Sequence, residues 1–72
     1  MMVEIITVYV NNKPVKIYQG MQVKHALISF DYFLYKSCEN GECIVLDENG
    51  FEIGLEGALY EGAKIYTKEI KG

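Results

Sequence analysis

The sequence predicts a small α+β domain in which a mixed sheet of four to five strands packs against one helix. Short segments with alternating, often β-branched residues lie near both ends and in the middle of the chain. A stretch around residue 25 has the spacing of an amphipathic helix. The chain of 72 residues fits one domain, residues 1–72, and 50% of its residues are hydrophobic, so we expect a compact core.

The first two strands are predicted to form a hairpin. Residues 5–10 alternate with apolar side chains on both sides, which indicates a strand inside the sheet that is covered on both faces or nearly so. Asn11-Asn12-Lys13 is predicted to be a turn, because asparagine tolerates the left-handed backbone conformation. Pro14 then opens a second strand that runs to Tyr18, and a proline in this place suits an edge strand.

One helix is predicted at about residues 22–30, because four apolar residues recur on one side of it: Val23, Ala26, Leu27 and Phe30. The aromatic segment 31–36 is interpreted as a connection. Further strands are expected at 43–46, 51–53 and 64–70, with the last strand beside the first. This order of hairpin, helix, hairpin and strand is the β-grasp layout of ubiquitin-like and ferredoxin-like domains.

The residues most able to bind a metal or to take part in redox chemistry lie between 37 and 50. Both cysteines, Cys38 and Cys43, occur here in a C-x4-C spacing that encloses Gly41. The residues alone leave three interpretations open: metal ligands, a redox-active disulfide or buried thiols. A zinc site would need two further ligands, and the only histidine, His25, faces away from the apolar stripe of the predicted helix. No catalytic residue, metal or cofactor is predicted.

Two segments and this cysteine spacing together resemble a known family. Val10-Asn11-Asn12-Lys13-Pro14-Val15, Gly20-Met21 and Cys38-x-x-Gly41-x-Cys43 are similar to plant-type [2Fe–2S] ferredoxins, and above all to the iron–sulfur domains of molybdenum hydroxylases. That family continues C-x4-C-x2-C with a fourth cysteine, whereas here the third position is Leu46. The resemblance implies a domain that has lost its cluster and acts as a protein-interaction module with a larger redox partner. The alternative is an electron carrier whose cluster is shared between subunits.

A second resemblance concerns the end of the chain. The segment from Leu59 to Tyr66 is similar to the sulfur carriers of thiamine and molybdopterin synthesis, whose terminal glycine is activated. This resemblance implies an alternative function in which Gly72 is the conjugation site. Lys71 departs from the Gly-Gly ending of that family.

Charge and aromatic content indicate the class of partner. The net charge of −3, with seven lysines and no arginine, argues against nucleic acid. No apolar run is long enough for a membrane span, and no signal peptide is recognised, so we expect a cytoplasmic protein. The expected partner-binding residues are the aromatic residues Tyr32, Phe33 and Tyr35, since exposed tyrosine and phenylalanine favour protein contacts.

Overall fold

The computed structural model describes residues 4–70 and has a five-stranded mixed sheet and two helices. The elements are β1 (Ile5–Val10), β2 (Lys13–Tyr18), α1 (Val23–Phe30), α2 (Tyr32–Glu39), β3 (Cys43–Asp47), β4 (Glu52–Ile53) and β5 (Lys64–Glu69). The strand order is β2-β1-β5-β3-β4, in which β1 and β5 are parallel and the other neighbours are antiparallel. The predicted N-terminal hairpin and the predicted position of the last strand are confirmed.

Two asparagines form the tight turn between β1 and β2. Asn11 and Asn12 have φ angles of 52° and 70°, the pair of positive values that a two-residue type I′ turn requires. The Asn11 side chain also donates from Nδ2 to Oγ1 of Thr67 at 3.0 Å and accepts the Thr67 N–H at 3.0 Å. The turn is therefore fastened to β5, which supports the parallel pairing of β1 with β5.

The hydrophobic core lies on one face of the sheet. Ile6, Val8 and Val10 of β1 are buried in one cluster with the apolar residues of both helices. The residues on the other side of β1 are less buried, because Ile5 is exposed and Tyr9 is half-buried. The prediction that β1 is covered on both faces or nearly so is therefore wrong for the side on which Ile5 and Tyr9 lie. The strand is inside the sheet, but both helices pack on the same side.

Helix α1 begins against the crossing that connects β4 to β5. The N–H of Val23 donates to the carbonyl of Gly57 at 2.9 Å, and the N–H of Gln22 donates to Nδ1 of His25 at 2.9 Å. These bonds satisfy donors that have no partner inside the first turn of a helix. His25 is accordingly half-buried and helps to hold the start of α1.

Helix α2 occupies the segment predicted to be a connection, so residues 4–70 contain two helices instead of the predicted one. Asp31 ends α1 and begins α2. Its N–H donates to the carbonyl of Leu27 at 2.7 Å, and its Oδ1 accepts the N–H of Phe33 at 3.0 Å. A carboxylate at this N-cap satisfies an open donor of the first turn and stabilises the helix.

Candidate functional site

The two cysteines lie at the chain reversal between α2 and β3. Gly41 follows the last residues of α2 with a φ of 83°. Its N–H donates to the carbonyl of Cys38 at 3.2 Å, and the N–H of Glu42 donates to the carbonyl of Ser37 at 2.8 Å. This pair of bonds is the Schellman motif, which ends a helix with a left-handed residue that is usually glycine. The glycine in C-x-x-G-x-C is thus explained by the way α2 ends.

The reversal places Cys43 beside Cys38, and the two residues form a disulfide. Their Cα atoms are 4.5 Å apart, which is within the range that disulfides span. The exposed fractions are 9% for Cys38 and 5% for Cys43, so the bond lies at the edge of the core. The cysteines are therefore buried and paired with each other, and not free thiols.

The ligand set of a [2Fe–2S] cluster does not fit this geometry. Side chains alternate along β3, so Cys43 and Val45 face the helices and Leu46 lies on the opposite face of the sheet. The position of the expected third ligand is thus separated from both sulfurs by the sheet itself. Within residues 4–70, no three histidine, cysteine or acidic side chains are grouped so that they could hold a metal ion.

The position of the cysteines favours a structural role. Cys38 lies in the last turn of α2, whereas reactive cysteines are commonly found at a helix N-terminus. Both residues are buried and are joined to each other. The pair is best explained as a structural link.

The three aromatic residues predicted to bind a partner lie on α2, but they are not equally available. Tyr32 is 53% exposed and Phe33 is 79% exposed, whereas Tyr35 is half-buried and packs against the core. The ring of Tyr32 is 6.2 Å from that of Phe33 and 6.0 Å from that of Tyr35. Tyr32 and Phe33 therefore offer contact area, and Tyr35 supports them from the core side.

Glu39 fixes Tyr35 and the last turns of α2. Its Oε2 accepts the Tyr35 hydroxyl at 2.8 Å, and its Oε1 lies 2.6 Å from Nζ of Lys36. The hydrogen bond from Lys36, and next that from Tyr35, lower the pKa of Glu39. The same hydrogen bonds to Glu39 raise the pKa of Lys36 and the pKa of Tyr35. At neutral pH, Glu39 is ionised and Tyr35 keeps its proton.

A cleft of about 350 Å³ extends along α2 toward the disulfide. Its walls include Ser37 of α2, Cys43 at the start of β3, and the exposed carboxylates Glu42 and Glu69. Phe33 and Ser37 are four residues apart and so lie on the same side of α2. This cleft was not expected, because residues 31–36 are predicted from the sequence to be a connection. Asp31, a common N-cap residue, was the signal that could have shown the helix beside the cleft.

Gly72, the alternative conjugation residue, lies outside the described residues. The N–H of Ile70 donates to the carbonyl of Glu42 at 2.9 Å, so the end of β5 is tied to the reversal that holds the cysteines. Activation of Gly72 stays a prediction of the sulfur-carrier resemblance.

Within residues 4–70, neither helix combines the length and the apolar character that a membrane span requires. No protein-family model matches this chain, and no curated protein matches it. The functional assignment therefore rests on the exposed aromatic residues of α2 and the cleft beside them.

Proposed function

We propose that this chain is a non-enzymatic protein-interaction module of the β-grasp type, and that it binds its partner through α2. The β2-β1-β5-β3-β4 order with a parallel β1–β5 pair supports the β-grasp part of the proposal. The ferredoxin resemblance supports a larger redox enzyme as the partner. It also supports descent from a cluster-binding domain, since C-x-x-G-x-C is present without the third and fourth cysteines.

The main observation in support is the exposure of Phe33. A single exposed apolar side chain is ordinary, but Phe33 forms an edge-to-face pair with Tyr32, which is also exposed. The two rings form an exposed aromatic pair in the first turn of α2. Aromatic side chains that become buried at an interface supply much of its binding free energy.

The cleft adds a polar component to this surface. Glu42 and Glu69 bring two exposed carboxylates next to the apolar wall formed by Leu34. We expect a partner that covers Phe33 with an apolar pocket and places a basic side chain toward the carboxylates, because opposite charges steer and orient association.

Site-specific photo-crosslinking in the native host tests the proposal. A photoreactive phenylalanine analogue replaces Phe33, and Phe51 is the matched control because it is 68% exposed at the other end of the sheet. We expect one partner to crosslink from position 33 and not from position 51. The Phe33→Ala variant should then bind that partner at least about 30-fold more weakly, as for an interface hot spot. Phe51→Ala should bind within about twofold of the original chain.

Absence of a position-specific crosslink, or equal binding by the two alanine variants, would contradict the proposal. Two measurements on the purified protein distinguish the two alternative functions, the shared cluster and the sulfur carrier. Iron at stoichiometric level with charge-transfer absorption after anaerobic purification would support a cluster shared between subunits. An adenylate or thiocarboxylate at Gly72, detected by intact mass after incubation with ATP and an activating enzyme, would support the sulfur carrier.

A further inference from the structure

The sheet face that points away from both helices, called here the helix-free face, has three lysines. Lys16 lies on β2, and Lys64 and Lys68 lie near the two ends of β5. All three are exposed, and they point away from the helices because their strand neighbours Ile17 and Ile65 are buried in the core. The strand order brings lysines from separate parts of the chain onto one surface.

A band of half-buried apolar and aromatic side chains lies among these lysines. The register pairs Tyr66 with Leu46 and Lys68 with Ile44 across β5 and β3. Tyr9 of β1 lies on the same face, and all four uncharged residues are half-buried. An apolar centre with charged groups around it is the arrangement of a protein interface.

The charge of the helix-free face is opposite to that of the whole chain. Among the strand residues on this face, the only acidic one is Glu52 on the edge strand β4. Glu61 lies near the start of β5, and its Oε2 accepts the backbone N–H of Thr7 at 3.2 Å. A chain with a net charge of −3 thus gathers three of its seven lysines on one side.

We propose that the helix-free face is a second interaction surface, whose occupant is a protein that presents aspartate and glutamate around an apolar centre. Charge complementarity selects this occupant, since the lysines attract carboxylates and repel basic surfaces. A second copy of this chain fits poorly, because a symmetric contact would bring lysines against lysines. Nucleic acid also fits less well, because the aliphatic Ile44 and Leu46 lie on this face and the chain has no arginine.

This surface is distinct from the α2 surface of the proposed function. The two lie on opposite sides of the sheet, and their charges differ: lysines on the helix-free face, and Glu42 and Glu69 beside α2. The chain is therefore able to hold two partners of opposite charge at once. Phe33→Ala should leave binding at the helix-free face unchanged, which separates the failure of one proposal from that of the other.

Amide-resolved NMR titrations of the full chain test this inference with three probes. The probes are a peptide of alternating glutamate and leucine, the same peptide with lysine in place of glutamate, and oligothymidine. We expect the glutamate peptide alone to shift the amides of β1, β3 and β5 on the helix-free face. The double variant Lys64→Glu/Lys68→Glu should weaken that binding about tenfold or more at low salt.

The matched control is Lys13→Glu/Lys24→Glu, which makes the same charge change outside this face and should keep the affinity within about twofold. The dispersion of each variant's spectrum verifies that it is folded. The proposal is overturned if the glutamate peptide shifts no amide of this face up to about 1 mM. It is equally overturned if the two double variants bind alike, or if oligothymidine or the lysine peptide binds more tightly.

Discussion

Removal of the Cys38–Cys43 disulfide is expected to lower the free energy of unfolding by about 2 kcal/mol. The bond joins residues with a sequence separation of 5, and the loop-entropy relation for so short a loop gives about 2 kcal/mol at 25 °C. The Schellman hydrogen bonds at Gly41 are independent of the sulfurs, so the reversal persists after reduction. The reduced protein should therefore remain folded.

Chemical unfolding with and without a phosphine reductant measures this difference, and intact mass verifies that the reduced chain is two hydrogens heavier. For a domain of this size, a loss of about 2 kcal/mol corresponds to a melting temperature lower by about 8–16 °C. The control is Cys38→Ala/Cys43→Ala, which should be insensitive to the reductant. Alanine is preferred to serine because it introduces no buried hydroxyl.

Two outcomes would refute this reasoning. If the fully reduced chain unfolds at the same denaturant concentration as the oxidised chain, the disulfide does not constrain the unfolded state as supposed. If the reduced chain does not fold, the backbone hydrogen bonds at Gly41 do not hold the reversal by themselves.

Two more predictions concern the end of α2. Gly41→Ala should lower the free energy of unfolding by about 1 kcal/mol, because Gly41 has a φ of 83°, although nothing lies within 4 Å of the added methyl group. Urea unfolding measures this change. The control Gly54→Ala should change the free energy of unfolding by no more than about 0.5 kcal/mol, since Gly54 has no positive φ. Glu39→Gln should destabilise the chain at neutral pH and have less effect as pH falls. The depressed pKa of Glu39 means that its contribution is present above the ordinary value of 4.5 and is lost below it. A stability difference that persists at acid pH would refute the role of the Glu39 carboxylate.

The sequence pattern was sufficient to predict the strands of the sheet. The alternation in residues 5–10, the asparagine pair and the final strand each depend on local chemistry, namely β-branched residues and tolerance of positive φ. The same pattern could not show that the helices cover only one face of β1. The alternation predicts Tyr9 to be a core residue, yet no helix packs on the side of β1 where Tyr9 lies.

Helix α2 was missed for a physical reason. Tyr32-Phe33-Leu34-Tyr35 is an unbroken apolar run, so the pattern has no polar face from which a helical period could be read. Asp31 was the available signal, because aspartate is a common N-cap. The cysteine spacing resembles that of a cluster-binding loop, whereas in the structure the same residues end a helix and close a disulfide.

The position of β5 has a consequence for folding during synthesis. β5 lies between the β1–β2 hairpin and the β3–β4 hairpin, and of the strands within residues 4–70 it is the last to leave the ribosome. Until residues 64–69 emerge, the two hairpins have no strand that joins them into one sheet. Completion of the sheet therefore awaits a contact between residues far apart in sequence, of the kind that slows folding. The nascent chain keeps the inner edges of both hairpins unpaired until translation of this strand is finished.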